Sequence, residues 1–171
     1  MLVKKPESGT FDAYYQMYID MVDTNYLEAE LDTNMHKMGL FVLNMDDDRW
    51  HYRYDDDKWS IAEVIMHICD VEQMFCNRVL NMVRGLKCEF EGFDHDLMAK
   101  NSISEKMTPK RYMELYTATR NYTIALAKSF MPEDWEIAGV VDGKKFTVKS
   151  LYYCMIGHER HHLNVINERY L

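Results

Sequence analysis

The stretch "WSIAEVIMHICDVEQMFCNRVLNMVRG", residues 59–85, constrains the fold more than any other part of this 171-residue chain. Ile61, Val64, Ile68, Val71, Phe75, Val79 and Met82 recur at spacings of three and four, the period of one face of an α-helix. Ser60 with Glu63 makes an S-x-x-E capping box, and Trp59 is placed to staple over Val64. Arg84-Gly85 supplies a cationic last turn followed by a C′ glycine. Together these signals predict a helix of about 25 residues whose single apolar face needs a partner layer.

Three further segments supply that layer. Thr108-Pro109 reads as an N-cap followed by proline at the first helical position. Tyr112, Leu115, Tyr116, Thr119, Tyr122, Leu126 and Phe130 mark the inner face that follows, and Pro132 stops it. Upstream, Leu27, Leu31, Met35, Met38 and Val42 trace another helix, weakened by an interruption at Gly39, with a short helix ahead of it around Tyr14 to Asp23. The last helix runs from Thr147 to Tyr170, and the Val141-Asp142-Gly143-Lys144 turn signal before it fits a small hairpin. The chain shows no internal repeat, low-complexity tract or Pro/Gly/Ser-rich linker. The predicted architecture is all-α, one four-helix-bundle domain spanning residues 1–171.

The net charge of −8, with no basic stripe, argues against nucleic-acid binding, because phosphate neutralisation supplies most of that affinity. No apolar run approaches the ~20 residues of a membrane helix. The opening "MLVKKPESGT" lacks the apolar core of a signal peptide, so the expected location is cytoplasmic. Cys69, Cys76, Cys88 and Cys154 are scattered without a C-x-x-C pair and read as reduced core residues. The 14 methionines read as core filler. The triplets Asp46–Asp48 and Asp55–Asp57 lack the alternating spacing of a calcium loop and read as solvated charge.

Histidine carries the chemistry. In the last helix Leu151, Met155, His158, His162, Val165 and Arg169 fall at intervals of three and four, the inward seam of a bundle helix. His158 and His162 thus occupy positions where an apolar side chain is expected. His67 lies on the stripe Val64, His67, Val71, Met74 of the residue 59–85 helix, so it also turns inward. An unpaired buried polar group costs roughly 1–3 kcal/mol, and a shared cation would satisfy all three imidazoles at once. His158-Glu159-Arg160-His161-His162 also spells H-E-x-x-H, the zinc-protease signature. The protease reading fails on the sequence. No downstream ligand follows at a suitable position, and Glu159 is displaced from His158 by ~100° around the helix.

The segment "DDDKWSIAEVIMHICDVEQMF", the intervening "GFDHD" and the terminal "GHERHHLNVINERYL" resemble the DinB/YfiT-like superfamily over nearly the whole chain. That resemblance implies an up-down-down-up bundle, often a homodimer. It implies a nickel or zinc site built by His67, His158 and His162, and in some members the activation of a low-molecular-weight thiol such as bacillithiol or mycothiol for S-transfer. It also links the chain to damage and stress responses.

Three imidazoles leave a divalent ion an open position, as in catalytic sites. The expected activity is therefore activation of a thiol or water against a small-molecule electrophile. Its rivals are a metal-dependent hydrolase, a non-catalytic metal-binding stress protein, and a structural bundle with hydrogen-bonded histidines. Glu63 and Asp70 flank His67 as candidate supporting carboxylates, with a solvated face as the alternative. His161 competes with His162 as ligand, and His95 is expected in a loop near the bundle mouth. His36 and His51 have no place in the site.

Overall fold

The computed structural model describes the backbone of residues 1–171 and every side chain except that of Asp47, so that member of the first aspartate triplet lies outside the described residues. In chain order the helices are α1 (Gln16–Asp20), α2 (Leu27–Leu43), α3 (Asp47–Trp50), α4 (Ile61–Val83), α5 (His95–Lys100), α6 (Pro109–Lys128) and α7 (Val148–Arg169). Strand β1 (Glu89–Phe90) follows α4, while β2 (Ala138–Val141) and β3 (Lys144–Thr147) lead into α7.

The long helices begin where the caps place them. The Ser60 hydroxyl accepts from the Glu63 amide, and the Glu63 carboxylate accepts from the Ser60 amide in return. Thr108 caps α6 and Thr147 caps α7. Gly85 adopts φ +67° directly after α4, the left-handed turn that a C′ glycine provides. Gly39 does not interrupt α2, which runs unbroken through it. Asp142 and Gly143, at φ +47° and +77°, close the β2–β3 hairpin. Its extension by β1, parallel to β2, is a sheet that the all-α reading did not include.

Burial along the helices sets their directions. One apolar cluster holds Leu27 and Leu31 of α2, Val71 to Met82 of α4, Ile124 to Ala127 of α6 and Val148 to Ile156 of α7. The other holds Met38 and Val42, Ile61 to Cys69, Tyr112 and Tyr116, and Ile166. α2 and α7 therefore run from the first cluster to the second, and α4 and α6 run back, an up-down-down-up bundle. Some inward assignments fail at the margins, among them Arg169, which is exposed at the end of α7. Tyr122 and Met74 are exposed, and Cys88 lies on the surface while the other three cysteines are buried.

Between the clusters sits a charged layer to which every long helix contributes. Arg120 of α6, fully buried, donates from Nε and Nη2 to the two oxygens of Glu72 on α4 (2.9 and 2.7 Å). Its Nη2 also pairs with Glu159 of α7, and Nη1 donates to the Leu31 carbonyl of α2 at 3.0 Å. Tyr116 donates to the other oxygen of Glu159, and Thr123 donates to the Glu72 Oε1 that Arg120 Nε also bonds. Burial opposes the guanidinium charge, yet Glu72 and Glu159 together hold its pKa well above the ordinary arginine value. Elsewhere, α1 lies against α7 through Gly157, where a Cβ would come within 1.8 Å of the Tyr18 carbonyl oxygen.

Two outcomes are expected from this framework. Arg120→Ala leaves two carboxylates buried without a counter-charge and should lower stability by about 3–5 kcal/mol in urea unfolding. Gly157→Ala forces α1 off α7 and should lower it by about 1–3 kcal/mol, with the largest amide shifts around Tyr18.

Candidate metal centre

His67 reaches the interior from the second turn of α4, and His158 and His162 from successive turns of α7, one helical turn apart on the same face. The Nε2 atom of His158 stands 3.2 Å from Nε2 of His67 and 3.0 Å from Nε2 of His162. One ligand-capable atom of each ring lies within 4.8 Å of the others, and among the described residues no other group of histidine, cysteine or carboxylate side chains converges in this way. His67 and His158 are only 5% and 7% exposed, and His162 is half-buried at the open side.

Three ring nitrogens facing one another cannot all be satisfied by hydrogen bonds. A neutral imidazole offers one N–H and one lone pair, so the central His158 nitrogen serves at most one neighbour well. Nδ1 of His67 is buried with no hydrogen-bond partner, so no contact fixes which of its nitrogens holds the proton. A cation resolves the conflict by taking all three lone pairs. Bonds of about 2.0–2.1 Å to such an ion place ligand nitrogens roughly 3.0–3.4 Å apart, the range of the observed separations. The residues present fit a divalent ion.

The electrostatics agree. Burial, then the neighbouring imidazole His162, pushes the His67 pKa down to about 3; burial and His161 push His162 down to about 4; burial drives His158 well below its ordinary value. All three are neutral at pH 7, the protonation state that a ligand needs.

Aromatic rings wall the triad. The Trp59 ring lies 4.9 Å from that of His67, and Tyr18 meets His158 and His161 edge-on at 5.5 and 5.6 Å. His95 stands 5.3 Å from His67, as the first residue of α5 rather than in a loop. Tyr18 carries no sequence signal of its own; the helical Gly157 that admits it was the available clue. His161 packs on Tyr18 and lies outside the converging set, whereas His36 and His51 are exposed and remote from it.

The acidic neighbours divide. Glu63 is buried in the capping box and paired with Arg53, so it is neither solvated nor free to serve the triad. Asp70, one turn after His67, is half-buried without a hydrogen-bond partner among the described residues, and burial raises its carboxyl pKa. Glu159, the acidic member of H-E-x-x-H, is fully buried against Arg120 and Tyr116. It cannot act as the base of a zinc protease.

The family model of the DinB superfamily matches residues 30–166. The fold is similar to that of YfiT from Bacillus subtilis, described as a probable metal-dependent hydrolase with an unusual four-helix bundle topology. The TM-score is 0.75 at 16% identity, over 97% of this chain and 91% of YfiT. No curated protein gives a match. No helix is long and apolar enough to cross a membrane.

The lowered histidine pKa values fix a pH dependence for metal-free protein. Unfolded histidine takes up its proton near pH 6.5, while the folded triad resists until about pH 4. The stability is fully present above pH 6.5 and drains away as pH falls through that window, by at most about 1.4 kcal/mol per pH unit per histidine. Urea midpoints of chelator-treated protein should fall from pH 6.5 to pH 4, and His162→Gln should flatten that slope.

Proposed function

This chain belongs to the DinB superfamily, and on that footing we propose that His67, His158 and His162 hold a divalent ion, nickel or zinc, for activation of a small nucleophile against a small electrophilic substrate. The observation that carries this reading is the approach of the His67 and His162 Nε2 atoms to that of His158, which can bond only one of them well. An ion held there supplies Lewis acidity, lowering the pKa of a thiol or water in its open position.

The chain's own residues do the rest. His158 stands between His67 and His162, and all three present neutral nitrogens. Trp59 and Tyr18 wall off the rings and limit water access. Of the carboxylates flanking His67, Glu63 is committed to the Ser60 amide and Arg53, and Asp70 is half-buried one turn further along the helix.

Two nucleophiles compete for this role. A low-molecular-weight thiol, giving S-transferase chemistry, follows from the family resemblance; water, giving hydrolysis, is favoured by the description of YfiT. Purification without added metal, followed by elemental analysis, should find one nickel or zinc per chain. His67→Ala and His162→Ala should each abolish stoichiometric binding and lower turnover by roughly two orders of magnitude or more. Product that forms only with added thiol identifies a transferase, and product with water alone a hydrolase. Intact metal binding in both variants discards the site.

A further inference from the structure

Arg120 and Arg78 are buried alike and satisfied very differently. Arg78 of α4 is 5% exposed, yet its one hydrogen bond among the described residues runs from Nη2 to the Glu91 carbonyl at 3.0 Å. A guanidinium carries five N–H donors, so most of its capacity is unused. No carboxylate forms an ion pair with it among the described residues. Its Cζ lies 5.4 to 5.9 Å from the ring centroids of Phe75, Phe90 and Phe93, which offer cation–π attraction and no acceptor.

This guanidinium borders a cavity of about 120 Å³ with Tyr15, Phe93, His95 and Lys144 on its walls. Asp142 also borders it, but its Oδ1 already accepts from the Gly92 amide at 2.9 Å, and Lys144 lies beside it in the same wall. The Tyr15 hydroxyl has no hydrogen-bond partner among the described residues. Burial depresses the Arg78 pKa, with Tyr15 and Asp142 acting against it, so an added negative charge would relieve an unfavourable state.

The cavity adjoins the triad. His95 borders it and meets the His67 ring edge-on with centroids 5.3 Å apart, and the Phe93 ring lies 4.4 Å from that of His95. Arg78 follows His67 by eleven residues, which brings it back to within about 20° of the same face of α4, roughly 16 Å further along.

We propose that Arg78 and the Tyr15 hydroxyl form a carboxylate-binding subsite, taking a ligand whose acid group is held in this cavity and whose stem passes His95 toward the histidine triad. A carboxylate suits the place because it is a planar monoanion that pairs with a guanidinium through two parallel bonds and slides between aromatic walls. The direction of the stem rests on the metal-site reading; the carboxylate site stands without it.

The probe is sodium propionate, with propionamide as its neutral isostere, titrated into the full-length chain while the Arg78 Nε–Hε and His95 signals are followed by NMR. Saturable shifts of both signals are expected with propionate, at least roughly tenfold weaker with propionamide. Arg78→Met should lose propionate binding, and Arg78→Lys should retain a weakened form. Equal response to both probes, no saturation, shifts confined to His162, or wild-type affinity in Arg78→Met would overturn the proposal. The wild-type titration decides the matter even where a variant unfolds. Arg78-dependent binding in a chain that takes up no metal would leave this site standing while the metal reading fell.

Discussion

One buried cation organises the bundle. Arg120 bonds to groups on the other three long helices, and its two carboxylate partners sit beside the histidines: Glu159 next to His158 in sequence, and Glu72 five residues beyond His67. Full burial makes the arrangement all-or-none, since an unmatched charge in that layer is far more costly than a matched one is favourable. The apolar clusters above and below give the helices reason to pack. The charged layer fixes their rotation and axial register, and so sets the ring nitrogens facing one another.

The run His158 to His162 shows how tightly that rotation is specified. Its five residues look around α7 in four directions, with His158 and His162 sharing one face, and each is engaged. His158 and His162 enter the triad, Glu159 meets Arg120, and His161 packs on Tyr18. Arg160 donates to the Asn34 side chain and the Met21 carbonyl and pairs with Glu30. The likeness to a protease motif arises because helical periodicity puts two ligands four apart, while the glutamate between them answers to a different neighbour.

Much of this was legible in the sequence because it is local. Caps at Ser60, Thr108 and Thr147 and the three-and-four spacing of apolar residues depend on one helix at a time, as does the inward placing of His67, His158 and His162. What escaped depends on distant segments meeting. The Arg120 layer joins residues 39 and 48 positions apart. Glu63 looked free because its partner Arg53 lies ten residues away in an irregular stretch. The parallel pairing of β1 with β2 joins residues 51 positions apart with only two pairs in register. The apolar count misplaced Tyr122 and Met74 because a long helix in a square bundle buries a narrower stripe than its hydrophobic residues mark.

The direction of α6 has a further consequence. Because α4 and α6 run the same way, the backbone between them must travel back along the whole bundle before α6 can begin. That return path carries β1, α5, Phe93 and His95, and it lies over the imidazoles. The helices that furnish the nitrogens are locked to one another by buried charge, whereas the covering segment is held at its edges. Substitutions in the cover can therefore change what faces the imidazoles without touching the helix geometry beneath.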